Sequence, residues 1–275
     1  MKKFLSRTGL YIILSLLFIE LMSFLVLKSG LYTYDYPGHE IYDAIAKSKK
    51  KNPAKKVLIG DSVGMQLFPN HAKNDSVNYL TSNQSISMVG QYILLKNHLE
   101  AGNEIDTLFM LFSPLVFDNN LDQNFTYHYF LKPFDKPQYQ PLFTETVKQQ
   151  IAKIPYSNFS QVPHILVTSW APNFTSTDSL DFTFLSPISV EYLSKIKELS
   201  EKNGFDIVIL PAPVSNAKKG LVEQLDKSEA IECGMETEFN SYFDELFYLD
   251  STLFSDGTHL IKPEEYSEYY LKNYF

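Results

Sequence analysis

The sequence predicts a three-layer α/β/α sandwich built on a parallel sheet, with a transmembrane helix ahead of it. Three observations carry this. Short apolar runs alternate with segments of helical period along most of the chain, which is the pattern of strands joined by crossover helices. An unbroken stretch from Leu10 to Leu27 is long and apolar enough to span a bilayer. The composition, with 44% hydrophobic residues, 21 Phe and 18 Tyr in 275 residues, excludes a disordered chain and suits one domain of roughly 200 to 250 residues behind a short targeting segment.

The N-terminal run follows Lys2, Lys3 and Arg7 and passes into LKSGLYTYDY without small residues that would mark a cleavage site. Residues 1–30 therefore read as an uncleaved anchor, N-terminus in the cytoplasm and the rest outside, with cleaved export as the alternative. No cysteine follows to accept a lipid. Glu20 lies inside the span, where an acidic group costs roughly 2.5 to 3.5 kcal/mol. It is either a polar contact for another membrane protein or a residue that is protonated or bonded to Ser23 one turn away. Residues 31–56 are expected to form a stalk, because YTYDYPGHE is irregular and six lysines crowd between Lys47 and Lys56. That charge run reads as a solvated face, with anionic glycan or lipid as the partner it would otherwise contact.

The domain is expected over residues 57–275. Val57 to Ile59 reads as a buried strand and Val77 to Leu80 as a weaker one. Ser85 to Leu99 carries Ile86, Val89, Ile93, Leu94 and Asn97 at helical spacing behind capping serines. Thr107 to Phe112 is a strand ending at Ser113-Pro114. Val190 to Gly204 is an amphipathic helix stopped by Asn203-Gly204, followed directly by the strand FDIVILP. A helix near Ala217 to Ala230, a short strand around Leu246 to Leu249 and a helix from Pro263 complete the series. Between residues 114 and 187 the alternation breaks down, and Phe125 to Phe143 holds seven aromatics and three prolines. This insertion is either a lid or binding surface, or a flap whose aromatics form their own core. His164 and Trp170 belong to it, and His128 could touch substrate there.

Several chemistries are disfavoured at once. A net charge of −8 gives no support for nucleic-acid binding. Cys233 is the only cysteine, so an intramolecular disulfide is impossible and a Cys-based zinc site would lack ligands. The histidines at 39, 71, 98, 128, 164 and 259 show no paired metal spacing. No metal and no cofactor are expected, and no second nucleophile at Cys233.

One stretch does suggest chemistry. In VLIGDSVGMQLFP, Val57 to Pro69, a strand turns at Gly60 and presents Asp61 and Ser62 at the carboxyl edge of the sheet, where open α/β proteins bind ligands. A serine hydroxyl is a weak nucleophile until a base takes its proton, usually a histidine oriented by a carboxylate. Near the C-terminus, YLDSTLFSDGTHLIKP sets Asp256 and His259 three apart on a turn, close enough for one to orient the other. A G-D-S-[LV] string alone arises by chance on the order of once in a hundred such chains.

Together, in this order, the two motifs resemble those of the SGNH or GDSL family of serine hydrolases, over the span from about Val57 to the C-terminus with the central insertion unmatched. The resemblance implies that Ser62 is the nucleophile, His259 the general base and later acid, and Asp256 its orienter, while Asp61 and Gly60 shape the turn without moving protons. It also implies an oxyanion hole made by the nucleophile's N–H, a glycine and an asparagine. Gly90 is the candidate glycine. The family's G-x-N-D is absent after Thr107 to Phe112, where the chain reads SPLVFDNN, so Asn119, Asn120 or Ser113 would have to supply the third donor. One missing donor costs roughly 2.7 to 4 kcal/mol in the transition state. With the anchor, this departure is similar to divergent members such as the alginate acetyltransferases and D-alanine transfer proteins. That likeness implies an extracytoplasmic esterase or O-acyltransferase acting on an acylated envelope glycan or small ester, with a multi-span membrane acyltransferase as partner. The alternative is an inactive, membrane-anchored glycan-binding or assembly protein that keeps the fold.

Overall fold

The structure, a computed structural model, describes residues 2–29, 39–83, 87–121, 127–153 and 183–275. Its centre is a four-stranded parallel sheet in the order β2-β1-β3-β4, formed by β1 (Lys56–Gly60), β2 (Val77–Tyr79), β3 (Thr107–Phe112) and β4 (Asp206–Pro211). Val57 stands beside Leu108, and Leu108 beside Ile207, so the apolar runs lie side by side across the sheet. The chain leaves β1 towards β2 and then crosses back to β3 on the other side of β1. The carboxyl ends of β1 and β3 therefore flank the point where strand order reverses, where a crevice opens in sheets of this kind.

Alternate residues of each strand face opposite sides, and each side has its own core. Val57, Ile59, Leu108, Met110, Ile207 and Ile209 join one cluster with α2 (His39–Ser48), α4 (Met88–Glu100), α5 (Glu145–Lys153), α6 (Pro187–Asn203) and α9 (Glu236–Asp244). Leu58, Phe109, Leu111 and Leu210 join the other with α3 (Ser62–Leu67) and α10 (Glu264–Asn273). Helices thus cover both faces. A two-stranded parallel sheet, β5 (Val214–Ser215) with β6 (Tyr248–Leu249), follows β4. Between these strands lie two short helices, α7 (Lys219–Val222) and α8 (Glu229–Glu232), where one longer helix was expected over Ala217 to Ala230. In the gap between them Asp226 Oδ1 accepts the Ser228 N–H at 3.0 Å.

The first helix, α1 (Lys2–Ser29), contains a 21-residue segment, Ser6–Val26, long and apolar enough to cross a membrane. The stalk expected over residues 31–56 is corrected in its described part. His39–Ser48 forms an amphipathic helix whose Ile41, Ala44 and Ile45 are buried in the main core. Residues one and two turns apart on that helix share a face, and the lysines that follow are fastened to the domain: Lys47 donates to the Asn70 carbonyl at 2.8 Å, and Lys51 to that of Gly102.

The described part of the insertion is structural. Tyr127, Phe130, Phe134, Tyr139 and Phe143 are buried in the core, and the Tyr139 hydroxyl donates to Asn97 Oδ1 of α4 at 3.0 Å. His164 and Trp170, the side chain of His128, and Ser85 and Ile86 at the start of the expected helix lie outside the described residues.

Candidate active site

Gly60 ends β1 because nothing larger fits. A Cβ there would stand 2.8 Å from the Leu111 carbonyl oxygen and 3.3 Å from Gly64 Cα. This close approach lets α3 start directly over the sheet edge. Asp61 is its N-cap, accepting the N–H of Val63 at 2.9 Å and of Gly64 at 3.2 Å, the two-bond arrangement that satisfies the free donors of a first helical turn. The Ser113 backbone N–H, arriving from the end of β3, lies close enough to favour the charged form of the same carboxylate. Burial pushes the Asp61 pKa up to about 6, although those N–H groups and nearby His259 pull it down. Ser62 occupies the first helical position, half-buried, with its side chain clear of the core.

The structure brings Ser62, His259 and Asp256 together. His259 Nε2 lies 2.8 Å from Ser62 Oγ, and His259 Nδ1 lies 2.7 Å from Asp256 Oδ2. The other carboxylate oxygen of Asp256 accepts the N–H groups of Thr258 at 3.0 Å and His259 at 2.8 Å, so the acid is fixed by the same turn that carries the base. Gly257 permits that turn with φ 78°, a left-handed conformation that favours glycine. Burial raises the Asp256 pKa, but the His259 N–H groups and the Thr258 N–H outweigh it and hold the carboxyl down at about 2. Asp256 is therefore ionised at neutral pH. It fixes the tautomer in which Nδ1 carries the proton and Nε2 faces the serine as an acceptor.

Two residues not anticipated from sequence tether this loop. Gln66, one turn after Ser62 on α3, accepts the Leu260 N–H at 3.1 Å and donates to the Leu260 carbonyl at 3.4 Å. Lys218 donates to Thr258 Oγ1 at 2.7 Å, and its burial lowers its pKa while Asp256 opposes the shift. Gln66 sits on the serine's own helix at i+4, which was a visible signal. Its partner is backbone, which no side-chain pattern announces.

The candidate oxyanion residues fare differently. Gly90 lies one turn into α4 and is a packing residue: a Cβ would stand 2.2 Å from Phe130 Cε1. Its neighbour Gln91 donates to the Gly60 carbonyl at 3.4 Å, which ties the start of α4 to the end of β1. Asn119 is buried and built into its loop. Its Oδ1 accepts the Leu121 N–H at 3.2 Å, where Leu121 has φ 57°, and its carbonyl accepts the Ser186 hydroxyl at 2.9 Å. Asn120 Oδ1 is buried without a hydrogen-bond partner among the described residues. Ser113 follows β3 immediately, and its N–H favours the charged form of the Asp61 carboxylate. The first-turn N–H of Ser62 has no carbonyl partner within α3, since the first four donors of a helix lack one.

No protein-family model, curated protein or solved structure matches this chain. Its chemistry rests on its own geometry. Among the described residues, no group of three or more His, Cys, Asp or Glu side chains could hold a metal ion. The arrangement can do one thing directly. It can take the proton from Ser62 Oγ at 2.8 Å while a carboxylate stabilises the resulting imidazolium.

Proposed function

We propose that this protein is a serine acyl-ester enzyme of SGNH type, an esterase or O-acyltransferase that works through an acyl-serine intermediate. The observation that carries this reading is the continuous hydrogen-bonded line from Ser62 Oγ through His259 to Asp256, at 2.8 and 2.7 Å. A recognition-only cleft has no need of a base within proton-transfer distance of a hydroxyl. That spacing favours catalysis over the inactive glycan-binding alternative.

In the proposed reaction, Ser62 Oγ attacks the ester carbonyl carbon as His259 Nε2 takes the hydroxyl proton. The carbonyl oxygen becomes an oxyanion facing the Ser62 N–H. Collapse breaks the bond to the alcohol, which leaves with the proton returned by His259, and the acyl group stays on Ser62. Water or a sugar hydroxyl then gives its proton to His259 and takes the acyl group, and His259 passes that proton to the departing Ser62 Oγ, restoring the serine hydroxyl. The choice between those acceptors separates esterase from transferase. An envelope glycan as substrate, a multi-span acyltransferase as partner and an extracytoplasmic domain are part of the same proposal. They draw support from the apolar helix α1 ahead of the domain and from the basic residues before it.

The test is turnover of p-nitrophenyl acetate by the full-length chain in detergent. The expected outcome is hydrolysis that Ser62→Ala abolishes and that His259→Ala lowers by about 10³-fold or more, the scale on which triad members act. Turnover indifferent to both substitutions would remove the proposal.

A further inference from the structure

We propose that Gln66 is a positioning residue for the general base: its side-chain amide fixes the loop that carries His259 to the helix that carries Ser62. This role rests on the acyl-ester reading. Ser62 and Gln66 stand four apart on α3, so they share a face. Leu260 directly follows His259, and both of its backbone polar groups meet the Gln66 amide, the N–H at 3.1 Å from Oε1 and the carbonyl at 3.4 Å from Nε2. Two bonds to one residue restrict rotation of the loop as well as its distance from the helix.

The remaining contacts of the loop show why such a clamp matters. Asp256 to Thr258 and His259, and the Ser255 N–H to the His259 carbonyl at 2.8 Å, are bonds within the loop. They set its shape but not its place relative to α3. The buried side chain of Leu260 anchors the loop to the core, yet apolar contact is non-directional. Lys218 holds Thr258 from the segment after β5, not from the nucleophile's helix. The Ser62–His259 bond does join the two, but catalysis consumes it: once Oγ is acylated it has no proton to donate. The Gln66 bonds take no part in the chemistry and persist through the acyl-enzyme stage, when His259 must still face the acyl carbon to activate the acceptor.

A positioning role predicts coupling to His259, and a double-mutant cycle reads it. Full-length protein in detergent is assayed with p-nitrophenyl acetate, with kcat normalised to the folded fraction by circular dichroism. Gln66→Met, nearly the same size without the hydrogen bonds, is expected to lower kcat about 10- to 100-fold, the scale of an angstrom-sized misplacement, with KM changed less than about twofold. Gln66→Glu keeps the acceptor for the Leu260 N–H but loses the donor, and its kcat is expected to fall between the two. In a His259→Ala background, Gln66→Met is expected to change residual turnover by less than about twofold. Gln66→Ala serves the same cycle if Gln66→Met does not fold. An equal loss in both backgrounds, or an undiminished Gln66→Met, overturns the role while Ser62-dependent turnover still upholds the acyl-ester reading. Absence of Ser62-dependent turnover in the unsubstituted protein overturns that reading, and this role with it.

Discussion

Asp61 accepts the backbone N–H groups of Val63 and Gly64 and makes no hydrogen bond to the imidazole of His259. Its work is to hold the turn between β1 and α3, and with it the position of Ser62. Asp61→Ala leaves those donors buried without an acceptor. The expected result is a loss of about 1 to 2 kcal/mol in unfolding free energy, typical of a removed N-cap, together with at least a tenfold fall in kcat. Asp61→Asn keeps an acceptor oxygen and is expected to retain most of both. Denaturant unfolding and ester turnover on the same samples measure the pair. An Asp61→Ala variant with unchanged turnover would show that Ser62 does not depend on this turn. At this scale the meeting of Ser62, Asp256 and His259 was legible, because each stands in a short motif at the end of an expected element. The Gln66 tether was not, because a glutamine bonded to a backbone leaves no complementary residue to find, nor was that of Lys218, which reaches Thr258 from forty residues away.

Among the elements, legibility followed local signals. β1, β3 and β4 were evident as apolar β-branched and aromatic runs, and the end of α6 as Asn203-Gly204, where Gly204 has φ 73°. The start of α6 lies earlier than the apolar period suggests, because Ser186 caps it by accepting the Ser189 N–H and Pro187 opens its first turn. Helix α2 carried its own signal in Ile41, Ala44, Ile45 and Ser48, but the lysine run beyond it dominated the reading. Helix α9 was also missed, although Phe239 and Tyr242 share its buried face. Gly90 shows the opposite limit. A glycine behind β2 fits an oxyanion role in one dimension. Its actual constraint is Phe130, forty residues away in an insertion with no period to place it.

The whole molecule combines these parts so that the strand order reverses at β1, Ser62 follows β1, and His259 returns from the C-terminal segment to meet it. Two buried groups in this frame oppose one another in pH. His98 lies between Asn78 and Asn103, fully buried, and burial lowers its pKa to about 4. The unfolded chain binds a proton near pH 6.5 that the folded protein refuses, so stability falls by roughly 3 kcal/mol as pH drops from 6.5 to 4. Asp61 runs the other way. Its folded pKa of about 6 exceeds the unfolded value near 3.9, so the stability it confers at low pH is lost as pH rises through 6. The two contributions offset each other between about pH 4 and 6. In urea unfolding at a series of pH values, the stability of the parent protein minus that of His98→Asn is therefore expected to grow as pH rises from 4 to 6.5 and then level off. A difference independent of pH would contradict the burial of a neutral His98.

An activated Ser62 nucleophile is open to covalent labelling. Full-length protein in detergent is treated with a fluorophosphonate, and the adduct is located by mass spectrometry of the peptides. The expected result is one adduct per chain on Ser62, formed at least about 10³-fold more slowly in His259→Ala, in keeping with the weight of a triad histidine. Folded protein that leaves Ser62 unmodified, or labels it equally fast without His259, would contradict it.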